Sequence, residues 1–114
     1  MVIAHGDVWW AELPQPVGSA PGYTRPVVIV QSDAFNRSRV STVVCVPLTT
    51  NARRADAPGH VPLDRTSTGL PKDSVANGAH IVAIDRSLLL ERVGRLPDQK
   101  LELVLYAIDV VLGR

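Results

Sequence analysis

Four β-branched apolar residues in a row, Val27-Val28-Ile29-Val30, follow directly on Pro26. A run of this kind suits a strand covered on both faces. Proline has no N–H to donate, so it can open a strand but is poorly placed inside one. The strand is therefore expected to start at Pro26 and reach Gln31, with Arg25 at its mouth. Before Arg25 lies Pro14 to Thr24, a loop with three Pro and two Gly. A second run, Thr42-Val43-Val44-Cys45-Val46-Pro47-Leu48, reads as another buried strand, and Pro47 marks a bulge or an unpaired edge near its end.

The rest of the chain supplies shorter strands and one helix. Val8 to Leu13 reads as a first strand, in which Trp9 and Trp10 must point to opposite faces. Ser32 or Asp33 can cap a short helical turn. His60-Val61-Pro62-Leu63 fits an edge strand, as Pro62 requires. Asp73 to Ala76 is a short strand, Asn77-Gly78 a hairpin-type turn, and His80 to Ile84 the expected partner. Asp85 can cap a turn reaching Leu88 to Leu90, and Glu91 to Leu96 is a last strand. A helix is expected from Leu96-Pro97-Asp98 to about Leu112, with Asp98 as N-cap. Leu101, Val104, Leu105, Ile108 and Leu112 form one stripe on it. Leu103, Ala107 and Val110 form a second, nearly opposite, which implies a partner subunit in a symmetric dimer. Many short strands and one terminal helix describe an α+β chain, mainly β, built as a small, partly open barrel with a long C-terminal helix.

At 114 residues with 20% charged and 46% apolar side chains, one globular domain spanning 1–114 is expected. No apolar run reaches membrane-spanning length, and no basic stretch precedes an apolar one at the N-terminus, so neither a membrane anchor nor a signal peptide is expected. The single Cys45 sits among valines as a small buried residue, in keeping with a reducing cytoplasm. Net charge is only +1 but uneven. Between residues 37 and 72, Arg37, Arg39, Arg53, Arg54, Arg65 and Lys72 outweigh Asp56 and Asp64. This permits one local anionic-ligand site and equally fits a solvated charged loop.

Sequence signatures for serine hydrolases, P-loops, zinc proteases and dinucleotide binding are absent, and the three His have no metal-ligand spacing. No metal and no cofactor is expected. What remains is Arg25 at one strand mouth and Thr49 with Thr50 at the end of the next. If those strands are antiparallel neighbours, Arg25 and Thr49 share one rim. A guanidinium beside a hydroxyl can cradle a phosphodiester. A surface Arg paired with a carboxylate and a Thr that merely ends a strand fit the same spacing.

Gly6-Asp7-Val8, Gly18-Ser19 before Arg25-Pro26-Val27, Pro47-Leu48-Thr49, and Asp73-Ser74-Val75 followed by Ile84-Asp85 occur in this order over roughly residues 5–112. In this the chain resembles the MazF/PemK/Kid family of toxin endoribonucleases. The resemblance implies a Kid/CcdB-type SH3-like barrel that forms a homodimer in the cytoplasm. It implies metal-independent, sequence-specific cleavage of single-stranded RNA, mostly mRNA, to 2′,3′-cyclic phosphate and 5′-OH ends. A cognate MazE-like antitoxin would occupy the RNA groove, and operator DNA would be bound only through it. The family's catalytic Arg falls on Arg25 and its Thr on Thr49. RNA contacts are expected from Ser19, Thr24, Gln31, Thr50, Arg53, Arg54, Lys72 and His80. The chain departs from many members at Ala20-Pro21, where an acidic residue is common, and at His80 and Val82, where Gln and Arg are. Of these residues only His80 has an intrinsic pKa suited to a general base. A gyrase poison of the CcdB type and an inactive RNA- or antitoxin-binding module share the barrel and stay as alternatives.

Overall fold

The computed structural model describes residues 1–14, 23–50 and 56–114. Seven strands form one bent antiparallel sheet: β1 (Asp7–Leu13), β2 (Tyr23–Ile29), β3 (Thr42–Thr49), β4 (His60–Leu63), β5 (Ser74–Asn77), β6 (Val82–Asp85) and β7 (Leu89–Arg95). Neighbours run β4-β5-β3-β2-β1-β7, with β6 attached to β3 off this path. Among the described residues no pairing joins β4 to β7, so the barrel is partly open. Two single turns, α1 (Asp33–Asn36) and α2 (Arg65–Thr68), and one long helix, α3 (Asp98–Leu112), complete the chain.

Side-chain alternation splits the core across the sheet. Val8, Val28, Val46, Leu48, Val61 and Ala76 face α3 and bury its Leu101, Val104, Ala107 and Ile108. Trp9, Ala11, Val27, Ile29, Val43, Cys45 and Ile84 fill the other side. Trp9 is buried there, while Trp10 packs partly against the α3 cluster. Cys45 is buried as expected, and desolvation pushes its thiol up to about 12, so it stays a protonated apolar group.

Four expectations need correction. Pro26 lies inside β2, not at its start. From Tyr23 to Pro26 this strand pairs with β1 alone, because its pairing with β3 begins at Val27. A strand bonded on one side only tolerates a missing N–H. Arg25 is thus a strand residue, paired with Ala11. Second, Asn77-Gly78 makes no hairpin. It leads into a 3₁₀ turn, Gly78–His80, capped by the Asn77 side chain, which accepts the Ala79 N–H at 2.9 Å. Both flanking strands then use the same edge of β3. β6 takes Thr42 to Cys45 and β5 takes Leu48 and Thr49, and Pro47 falls in the gap between them.

Third, Asp98 is the first residue of α3 and Pro97 its N-cap. The Pro97 carbonyl accepts both Lys100 and Leu101 N–H at 3.0 Å, and Asp98 places its charge in the first turn, where the helix dipole favours it. Fourth, Ala107 is buried instead of joining the outer stripe, because the 3₁₀ turn covers it, while Leu112 is exposed. Leu103, Tyr106 and Val110 remain exposed on the outer face.

Gly78 fixes how that turn meets the helix. A Cβ there would stand 2.7 Å from the Ala107 carbonyl carbon and 2.8 Å from the Ile108 nitrogen. The obstacle is helix backbone, so a neighbouring side chain cannot rotate away. Gly78→Ala is expected to destabilise the fold by about 2 kcal/mol, seen as a lower urea midpoint at unchanged slope.

Asp33, Asp64 and Asp85 are exposed carboxylates held below their ordinary range, by the His5 N–H, the Ser67 hydroxyl and the Ser87 N–H respectively. Each stabilises the fold above the unfolded carboxylate pKa, and that contribution is lost as pH falls through the lower folded value.

Candidate active site

The β2–β3 register runs Ile29↔Cys45, Val28↔Val46, Val27↔Pro47. The pairing stops there, and Arg25 and Thr49 each lie two residues beyond the last pair, at the same end of their strands, where both line the same cavities. Thr49 is also held from its far side, by pairing with Val75. The Arg25 guanidinium lies over the Tyr23 ring, 5.0 Å from its centroid. Tyr23 stands two residues earlier on the same strand face, so the strand period itself makes this cation–π contact. Among the described residues Arg25 makes no ion pair, which disfavours its reading as a carboxylate-bound surface Arg.

Two cavities meet at Arg25 and Thr49. The larger, about 720 Å³, continues past Pro47 and Val75 to His60, Asn77 and His80. The smaller, about 350 Å³, includes Trp10, Thr24, Thr50, Leu70, Pro71 and Lys72. Tyr23, Arg25, Leu48 and Thr49 line both. Among the described residues neither is lined by Asp or Glu, whereas Arg25 and Lys72 bring positive charge. An anionic chain running through both cavities would pass Arg25 and Thr49 midway.

Two histidines face the larger cavity, each with its ring state set by neighbours. The His60 Nδ1 is 3.1 Å from the Pro58 carbonyl oxygen, which can only accept, so Nδ1 carries the proton. The His80 Nε2 is 3.4 Å from Asn77 Nδ2. Because Asn77 Oδ1 already accepts the Ala79 N–H, the amide nitrogen must be the donor, and the His80 Nε2 lone pair is engaged.

The profile of the PemK-like, MazF-like toxins of type II toxin–antitoxin systems matches residues 4–112. The chain belongs to this family. It is of the MazF endoribonuclease class. Endoribonuclease MazF6 of Mycobacterium tuberculosis is 44% identical over 97 residues, 85% of each chain. Endoribonuclease EndoA of Bacillus subtilis is 33% identical over 113 residues, covering 99% of this chain and 97% of the relative. The crystal structure of MazF from Deinococcus radiodurans superposes with a TM-score of 0.80 at 23% identity, over 100% of this chain and 99% of that one. MazF of the same organism in a MazE–MazF complex gives 0.80 over 99% and 97%. The mostly antiparallel barrel with its C-terminal helix is thus a MazF-like fold.

In this MazF-like toxin the site residues named from sequence divide three ways. Arg25, Thr49 and His80 line the larger cavity, and Thr24, Thr50 and Lys72 the smaller. Thr24 also donates to Glu12 at 3.0 Å. Ser19, Arg53 and Arg54, with most of the Pro14 to Thr24 loop, lie outside the described residues. Gln31 does not join the site. It is buried, donates its amide to Asn36 at 3.0 Å and to the Thr42 carbonyl at 3.4 Å, and accepts the Val44 N–H at 3.2 Å. These bonds tie the end of β2 to α1 and β3. Gln31→Ala is expected to cost about 1–3 kcal/mol in chemical denaturation while cleavage by the folded protein is unchanged.

Tyr23, His60 and Asn77 were not legible as site residues. Tyr23 could have been found from its place two residues before Arg25, once both lie on one strand. His60 and Asn77 come together only through the β4–β5 pairing, where they sit opposite each other.

Proposed function

We propose that this MazF-like toxin cleaves single-stranded RNA, mainly mRNA, by attack of a ribose 2′-OH on the adjacent phosphorus, with Arg25 and Thr49 as its catalytic pair. The observation that carries this is the Arg25–Thr49 juxtaposition at the meeting of two cavities lined by no carboxylate among the described residues. As the 2′-oxygen adds to phosphorus, the phosphorane gains negative charge. Arg25, always protonated and oriented by Tyr23, stabilises that charge, and the Thr49 hydroxyl orients a phosphoryl oxygen. Arg25 is a poor proton acceptor, because a guanidinium keeps its proton throughout the working pH range. The P–O5′ bond then breaks, leaving a 2′,3′-cyclic phosphate and a 5′-OH. No metal ion is needed in this scheme, since the guanidinium supplies the positive charge.

Thr24, Thr50, Lys72 and His80 contact the RNA on either side of the cut, and Lys72 adds salt-sensitive attraction. Ser19, Arg53 and Arg54 extend this contact. The exposed apolar face of α3, with Leu103, Tyr106 and Val110, supports a homodimer. A MazE-like antitoxin fills the RNA groove and carries any operator binding. No helix among the described residues is long and apolar enough to cross a membrane, and a cytoplasmic toxin acting on mRNA is the reading we favour.

The test is incubation of the protein, in EDTA, with a mixed pool of single-stranded and folded RNAs, followed by sequencing of the ends. Discrete cuts with cyclic-phosphate ends are expected. No cutting by folded protein, together with inhibition of gyrase supercoiling, would move the assignment to the CcdB type.

A further inference from the structure

The scheme above leaves the proton of the attacking 2′-OH without an acceptor. We propose that His60 is that acceptor, the general base of the cleavage reaction; the assignment rests on the endoribonuclease reading. His60 opens β4, and its ring lines the same cavity as Arg25 and Thr49. Its Nδ1 donates to the Pro58 carbonyl at 3.1 Å, so in the neutral ring the free lone pair is on Nε2. His80, the only other histidine in the cavity, has its Nε2 lone pair occupied by the Asn77 amide. Of the two rings, His60 is the one whose basic nitrogen has no partner among the described residues.

The backbone under His60 is fixed from both sides. Its N–H donates to the Ala57 carbonyl at 3.0 Å, and the Gly59 carbonyl accepts the Gly78 N–H at 2.9 Å. Gly59 has φ +80, a value that suits glycine, so the turn delivering His60 to the strand is specified by the residue before it. A base held this way needs little reordering before reaction.

The register gives the spacing. His60 faces Asn77 on β5, and Thr49 faces Val75 on the same strand, two residues away. At about 4.8 Å between strands and about 3.4 Å per residue, the Cα atoms of His60 and Thr49 stand roughly 12 Å apart on a flat sheet. Directly opposed residues share a face, and Asn77 and Val75 are two residues apart on β5, so both side chains rise from the same face and a ribose with its phosphate would lie across β5 between them. In the step itself, the 2′-O–H bond breaks and its proton goes to His60 Nε2. The 2′-oxygen forms the new bond to phosphorus, and the P–O5′ electron pair leaves with O5′. That oxygen takes a proton from water, and the His60 imidazolium returns its proton to solvent. The groups that titrate or carry charge around the ring are Tyr23, Arg25 and His80 across the cavity and Tyr106 of α3 behind it.

The test uses full-length His60→Ala, His60→Gln and His80→Ala proteins on an oligoribonucleotide that the wild type cuts. The glutamine variant keeps a donor toward Pro58 and lacks the base, and thermal melts confirm folding. Both His60 variants are expected to lose about 10²–10³-fold in kcat with KM changed less than about threefold. The acid limb of the wild-type pH–rate profile should vanish with them and persist in His80→Ala. Retention of kcat within about fivefold in His60→Gln, or an acid limb that disappears only in His80→Ala, would overturn the assignment. If the wild type cuts no RNA at all, the endoribonuclease reading falls and this assignment with it.

Discussion

Arg25→Ala is expected to slow RNA cleavage by about 10²–10³-fold with little change in thermal stability. Three observations set that size. Arg25 makes no ion pair among the described residues, so its removal leaves no carboxylate unpaired. Its backbone is carried by β2, whose pairing with β1 through Ala11 does not depend on the side chain. Its guanidinium rests on Tyr23 and Arg25 lines both cavities, so in the proposed scheme the loss would fall on the charge that develops at phosphorus. Arg25→Lys keeps the charge but not the planar fork or the stacking, and should recover only part of the rate. Single-turnover rates at saturating RNA, beside a melt of each variant, separate the two effects. A variant as fast as the wild type would place the phosphate elsewhere.

Asp7→Ala is expected to do the opposite, destabilising the fold by about 3 kcal/mol without touching the site. Asp7 is 1% exposed, yet it carries a carboxyl group that needs polar partners. Its Oδ2 accepts the Ala4 N–H at 2.9 Å and the Trp9 indole N–H at 3.1 Å, and its Oδ1 lies 3.3 Å from Arg92 Nε. Alanine would leave the indole donor of a buried Trp without its acceptor and strip Arg92 of its counter-ion. Asp7→Asn keeps an oxygen for Trp9 and gives up the charge, so it should cost about half as much. A drop in Tm of roughly 10 °C for the alanine variant is the observable. A change below about 2 °C would mean that water replaces the carboxylate.

The Gly6-Asp7-Val8 stretch shows how family resemblance and role differ. It helped to mark the family, yet in the structure Asp7 ties the chain start to β1 and β7 and takes no part in the cavities. The β-branched run of β3 and the apolar stripe of α3 made those elements legible, and with β1 they fall within a residue or two of expectation. Asn77-Gly78 misled because turn chemistry is local, while the path of this turn is set by α3, a helix far along the chain. Gln31 misled for a related reason. A polar residue at a strand end looks solvent-facing until the strand and helix that consume its amide are known. That Arg25 and Thr49 share one rim was legible because antiparallel neighbours bring the start of one strand beside the end of the next. His60 was not, since its approach depends on β5 lying between β4 and β3.

The most direct measurement replaces the single 2′-OH at the nucleotide 5′ of a mapped cut with hydrogen. Cleavage of that oligonucleotide at the position should disappear while its binding to the toxin persists. Cutting at an undiminished rate would show that the 2′-oxygen is not the nucleophile, and would remove the chemistry assigned here to Arg25, Thr49 and His60.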